Sequence, residues 1–109
     1  MSYQILTTSE FEKQFNKLDL QLQKRISQKI SILQENPFNG KPLGYKFLRE
    51  QKVLKYRFYY IVYKEFLVVF IIKLSSKKDQ QKCIDSIRSL VPYYHQLVQK
   101  KINVWVSTQ

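Results

Sequence analysis

The chain predicts an α+β domain with the element order β-α-α-β-β-β-α, and three observations carry that expectation. Val53 to Tyr63 and Leu67 to Leu74 are β-branched, aromatic and aliphatic runs parted only by the polar Lys64-Glu65, which reads as an antiparallel hairpin. Before this hairpin lie two stretches with apolar residues at helical spacing, and after it lies a third. With 109 residues and 44% hydrophobic content, there is material for one domain with a single modest core.

Taken in order, Tyr3 to Thr7 is a short strand candidate. Ser9-Glu10-Phe11-Glu12 has the form of a capping box, with Ser9 as the cap, and Phe11, Phe15 and Leu18 then line one helical face. A second helix starts near Asp19 or Leu20, carries Leu22, Ile26, Ile30 and Leu33 on one stripe, and must stop by Asn36 because Pro37 follows. Two helices so close in sequence predict an antiparallel pair covering one face of the sheet. Pro37 to Gly44 is a loop holding both glycines and two of the three prolines. Tyr45 to Glu50 is expected as a strand leading into the hairpin. Asp79 is placed to cap a third helix, whose Cys83, Ile84, Ile87, Leu90 and Val91 form an apolar stripe ended by Pro92. Residues 93–109 are a C-terminal extension with two readings: Tyr94, Leu97, Val98 and Ile102 extend a helix, or Val104 and Val106 alternate as a strand.

Charge is the strongest global signal. The chain carries 19 basic and 8 acidic residues, a net +11, and residues 41–82 alone hold eleven of the basic ones against three acids. Such clustering points to a polyanionic partner, nucleic acid or an acidic protein, against the plainer reading of a solvated basic surface. No run approaches the roughly 18 apolar residues of a membrane span, so no membrane association is expected. MSYQILTT has no basic start followed by an apolar stretch, and the single Cys83 makes no disulfide framework; a cytoplasmic protein is expected. His95 is alone, Ser75-Ser76 has no nearby triad partner, and Gly40 and Gly44 lack a phosphate-loop context. No cofactor and no metal site is therefore expected.

Three segments together carry a family resemblance: Asn36-Pro37…Gly40-Lys41-Pro42-Leu43, the strand Tyr56-Arg57-Phe58-Tyr59-Tyr60, and Ser76-Lys77-Lys78-Asp79-Gln80-Gln81. In this order they resemble the RelE/ParE superfamily of toxins from type II toxin–antitoxin systems, over about residues 1–91, and the last segment resembles its archaeal-type branch. The resemblance implies a toxin domain over residues 1–92 with a curved, mainly antiparallel four-stranded sheet, an N-terminal helical hairpin and a C-terminal helix. It implies a cognate acidic antitoxin, and as target either mRNA on the ribosome, cleaved by a metal-independent endoribonuclease, or DNA gyrase, inhibited without catalysis. A third reading is a catalytically weak relative that binds RNA or its antitoxin. The family's strand arginine carries onto Arg57 and its following basic residue onto Lys78, with Lys77 beside it. Basic residues of the preceding strand carry onto Lys46, Arg49, Lys52 or Lys55. The tyrosine of ribosome-dependent members has no counterpart, since Cys83 and Ile84 occupy its region; Tyr93, Tyr94 and His95 are the candidates to replace it.

The residue types suit that chemistry. Strand alternation puts Lys55, Arg57, Tyr59 and Tyr63 on one face and Tyr56, Phe58, Tyr60 and Val62 on the other. Arg57, always charged and able to fork two hydrogen bonds, is a phosphate clamp, or else it pairs with an acid at the core edge, Glu50 or Glu65. Lys55 and Lys78 are the candidate base and acid. Lys46, Arg49, Lys52 and Lys77 are candidate RNA contacts, and Tyr59 a stacking platform unless the strand tyrosines serve as packing. Cys83 reads as a small buried hydrophobe.

Overall fold

A computed structural model of the chain describes residues 2–107, with side chains as far as residue 103. The elements are β1 (Gln4–Thr7), α1 (Ser9–Asn16), α2 (Leu20–Leu33), β2 (Lys41–Pro42), β3 (Leu48–Val53), β4 (Tyr56–Tyr63), β5 (Val68–Ser76), α3 (Gln80–Ser89) and α4 (Val91–Ser107). One five-stranded sheet runs β1-β5-β4-β3-β2, with β1 parallel to β5 and every other pair antiparallel. The fold class is as expected, with one strand more than the four predicted: β2, two residues long and containing a proline.

Both faces of the sheet are covered, which is why β4 and β5 are apolar almost throughout. Phe58, Tyr60 and Val62 of β4 pack with Phe11, Leu22, Ile26 and Leu33 of α1 and α2. Tyr59, Ile61 and Tyr63 pack on the opposite face with Cys83, Ile84 and Ile87 of α3 and with Tyr94 and Val98 of α4. Alternation is interrupted once. Tyr59 pairs with Lys73 but Tyr60 with Ile71, so Ile72 is an extra residue on β5 and turns Lys73 and Ser75 to the α3 side.

Several boundaries differ from expectation. The cap of α1 is Thr8, not Ser9: its Oγ1 accepts from the Phe11 N–H at 3.0 Å and also donates to the Ile72 carbonyl. That second bond, made to a distant strand, is what moves the helix start back one residue. Thr8→Ala should cost about 1–2 kcal/mol, the usual worth of an N-cap, and Thr8→Ser much less; urea unfolding followed by circular dichroism measures the difference. Asp19 caps α2, accepting from the Leu22 N–H at 2.8 Å, while Asp79, expected as the cap of α3, makes no side-chain cap.

The strand expected from Tyr45 starts only at Leu48, because residues 45–47 turn, closed by a Leu48 N–H to Tyr45 carbonyl bond. Val53 ends β3 rather than opening the central hairpin, and Leu54-Lys55 reverse the chain with Leu54 at φ +57°. Leu67 takes φ +53° at the end of the next turn. Neither residue announces the left-handed conformation that it adopts. Pro92 does not merely end α3; it sits in the first turn of α4, where its missing N–H costs nothing. Val104 and Val106 lie within that helix, so the strand reading of this segment is corrected. Among the described residues, no helix is long and apolar enough to cross a membrane.

Candidate functional site

Arg57 lies one residue into β4, in register with Lys52 of β3 on one side and Ser75 of β5 on the other. It faces the α3 side, and the rings and strands around it leave only 8% of the residue exposed. Its partner is Glu50, whose Oε1 lies 3.7 Å from Nε, while Glu65 pairs instead with His95 at 3.7 Å. The same Glu50 oxygen accepts a 2.6 Å hydrogen bond from the Gln80 side-chain amide at the start of α3. Nη1 of Arg57 is buried with no hydrogen-bond acceptor among the described residues. The cluster is thus a buried cation, charge-compensated at a distance but with a donor unfilled.

Lys52, opposite Arg57, is exposed, and so are Lys77 and Lys78 in the turn between Ser76 and α3. Lys52 and Arg57 lie in register at the end of the sheet from which β5 runs into the Lys77-Lys78 turn. The other candidates are placed differently. Lys55 belongs to the β3–β4 turn, and the strand alternation that was to align it with Arg57 starts only at Tyr56. It lines a cleft of about 340 Å³ with Asp19, Leu22 and Arg25, on the α2 side. Arg49 is internal: Nη1 donates to the Gly40 carbonyl at 2.9 Å, Nε donates to the Lys46 carbonyl at 3.0 Å, and the guanidinium stacks 5.1 Å from the Phe38 ring centre. Lys46 sits in the turn before β3, its ammonium 5.7 Å from the same ring. Both lysine and arginine here belong to the loop anchorage and stand away from Arg57.

Tyr59 is fully buried and offers no ring face to a base. Its hydroxyl is bonded to Ser75 Oγ at 2.7 Å, and burial pushes its pKa up to about 12 despite that bond. None of the three tail candidates, Tyr93, Tyr94 and His95, packs against Arg57 among the described contacts. Tyr94 is buried edge-on against Phe70, Tyr93 is exposed, and His95 packs between Tyr63 and Phe66 at the far end of β4. Beside the Arg57 cluster, α1 and α3 bound a cleft of about 560 Å³ over the β5 edge, with Lys73, Ser75, Ser76, Lys82 and Cys83 among its walls. Burial lifts the Cys83 thiol to about 11, so it is a poor nucleophile there, as its place on the apolar stripe suggested. Among the described residues, no group of three or more His, Cys, Asp or Glu converges.

The buried tyrosines have a consequence for stability. Desolvation raises Tyr59 and Tyr94 to about 12 from 10.0, and raises Tyr60 and Tyr63 as well. A raised pKa in the folded state means that unfolding releases protons more readily. The stability these groups contribute is therefore complete below pH 10 and lost as pH climbs towards 12. Urea midpoints should be flat up to about pH 9 and fall steeply above pH 10; a flat profile to pH 11 would contradict the burial.

Residues 5–81 match the family described as the ParE toxin of the type II toxin–antitoxin system parDE. The chain belongs to the RelE/ParE toxin family. Solved structures agree in fold. A mutant of the Escherichia coli toxin RelE in the free state superposes with a TM-score of 0.68 at 23% identity, covering 79% of this chain and 93% of that one. RelE in the archaeal RelE–RelB complex from Pyrococcus horikoshii gives 0.62 at 24% identity, covering 71% and 97%. The intact E. coli RelBE toxin–antitoxin complex gives 0.64 at 24%, covering 69% and 96%. No curated protein matches the chain by sequence.

Within this RelE/ParE fold, two members of the cluster escape sequence reasoning. Glu50 was visible only as one of two possible partners for Arg57, and Gln80 only as part of a polar run. Their meeting depends on where α3 lands on the sheet, which no local pattern encodes.

Proposed function

We propose that this toxin is a ribosome-dependent mRNA endoribonuclease that arrests translation in the cytoplasm. The observation that carries the reading is Arg57: a buried guanidinium with an unfilled Nη1, beside the exposed Lys52, Lys77 and Lys78. A cation so placed suits a phosphodiester that gains charge in its transition state. Lys52 and Lys77 hold flanking phosphates as point charges. The 2′-oxygen attacks phosphorus and the bond to the 5′-oxygen breaks, leaving a 2′,3′-cyclic phosphate and a 5′-hydroxyl. Lys78, at the mouth of the cluster, delivers the proton to the leaving oxygen. Glu50 accepts the 2′-hydroxyl proton, and Lys55 takes no part in proton transfer because the hairpin turn carries it to the α2 side.

The antitoxin reading draws support from similar structures being toxin–antitoxin complexes. A cognate acidic antitoxin suits the basic surface, and mixing the two should raise the melting temperature of the toxin. One observation favours a second reading: the matched family is described by ParE, and Tyr59, on the same face as Arg57, is fully buried with its hydroxyl bonded to Ser75. That reading is gyrase inhibition without catalysis. Parallel assays separate the two. The first reading expects loss of reporter synthesis in a cell-free translation extract with DNA supercoiling by gyrase untouched; the reverse pattern rejects it in favour of the second.

A further inference from the structure

We propose that Glu50 is an internal stand-in for the substrate phosphate, held near Arg57 by Gln80 in the free protein and exchanged for a phosphodiester when RNA binds. The identity of the anion rests on the RNA-cleaving reading above. In the sheet register Glu50 stands opposite Tyr59, not opposite Arg57, so its carboxylate approaches Arg57 from two residues along the strand, on the same face. It stops at 3.7 Å from Nε, outside hydrogen-bond distance, while its short contact at 2.6 Å is to Gln80. Glu50 therefore neutralises Arg57 without filling its donors.

A phosphate fills them better. It accepts two parallel bonds from a guanidinium and carries the same sign of charge as Glu50, so the two anions cannot share Arg57 without repulsion. Nη1 is also closed to solvent, so an anion reaches it only when the groups packed around it move. Gln80 is the first residue of α3 and follows the Lys77–Asp79 turn. Releasing Glu50 thus loosens the segment that presents Lys77 and Lys78. Once displaced, Glu50 is a free carboxylate beside the phosphodiester, which is where a proton acceptor for the 2′-hydroxyl is needed. Gln80 is a positioning residue: it touches no substrate and acts through Glu50.

The test uses the full chain and a fluorescent single-stranded RNA with 2′-O-methyl riboses, which binds but cannot be cleaved. Glu50→Gln should bind about tenfold more tightly than the wild type, the size of one charge-assisted contact, and the charge-neutral Gln80→Leu roughly threefold more tightly. Both gains should vanish when Arg57→Gln is added, because the competition they relieve is for Arg57. The chain has four arginines, so the Arg57 Nε–H signal can be followed by NMR and should shift on RNA addition. Unchanged or weaker binding by folded Gln80→Leu overturns the proposal, as does a gain that survives without Arg57. If the cleavage reading fails, wild-type toxin leaves mRNA whole, and this binding cycle still reads independently.

Discussion

Arg57→Ala should lower the rate of mRNA cleavage by about 10²–10³, the usual loss when a preorganised donor to a developing oxyanion is removed. The same substitution leaves Glu50 buried with only Gln80 to serve it, so the fold should also lose about 3 kcal/mol, as expected for half of a buried pair. The two effects separate in a companion variant. Arg57→Lys keeps the counter-charge for Glu50 but loses the fork that grips a phosphate, so it should stay folded and remain strongly impaired. Initial rates in a translation extract, set beside urea unfolding, check both. A well-folded Arg57→Lys toxin with wild-type activity would remove Arg57 from the chemistry.

Gly40→Ala should strongly destabilise the fold. The Gly40 N–H donates to the Tyr60 hydroxyl at 2.9 Å, and its carbonyl accepts from Arg49. A Cβ at that position would stand 2.6 Å from both the Glu50 carbonyl and the Tyr60 hydroxyl. The first of these is backbone in the middle of β3 and cannot yield cheaply. Overpacking combined with loss of the loop's anchoring bonds should cost about 3 kcal/mol, a fall of more than about 10 °C in melting temperature. Tyr60→Phe removes only the hydroxyl and should cost about 1 kcal/mol, which differential scanning calorimetry resolves from the first. Because β3 carries Glu50 and Lys52, the glycine variant should also lose activity beyond what its folded fraction explains.

The helices and the central strands were legible because their signals are local. Leu22, Ile26 and Leu33 repeat at helical spacing and all three are buried, and β4 and β5 are apolar because helices cover both faces. What the pattern could not show was where the chain turns. Leu54 and Leu67 adopt left-handed angles without Gly or Asn to announce them. The run from Val53 to Tyr63 therefore looked like one strand, and Lys55 was aligned with Arg57 when it belongs to a turn. The two-residue β2, held by pairing of Lys41 with Glu50 and Pro42 with Arg49, has no pattern of its own. Arg57 itself stood out as a charge within an apolar strand. Arg49 looked equally available, yet its donors go to Gly40 and Lys46, a fact of long-range closure rather than composition.

The account stands most directly on where, and whether, mRNA is cut. Purified toxin should be added to a cell-free translation reaction, with 5′ ends of the message mapped by primer extension and a parallel reaction lacking ribosomes. The account predicts new ends within codons, present only with ribosomes and absent with Arg57→Lys toxin. A message left whole while translation proceeds at its normal rate would contradict it.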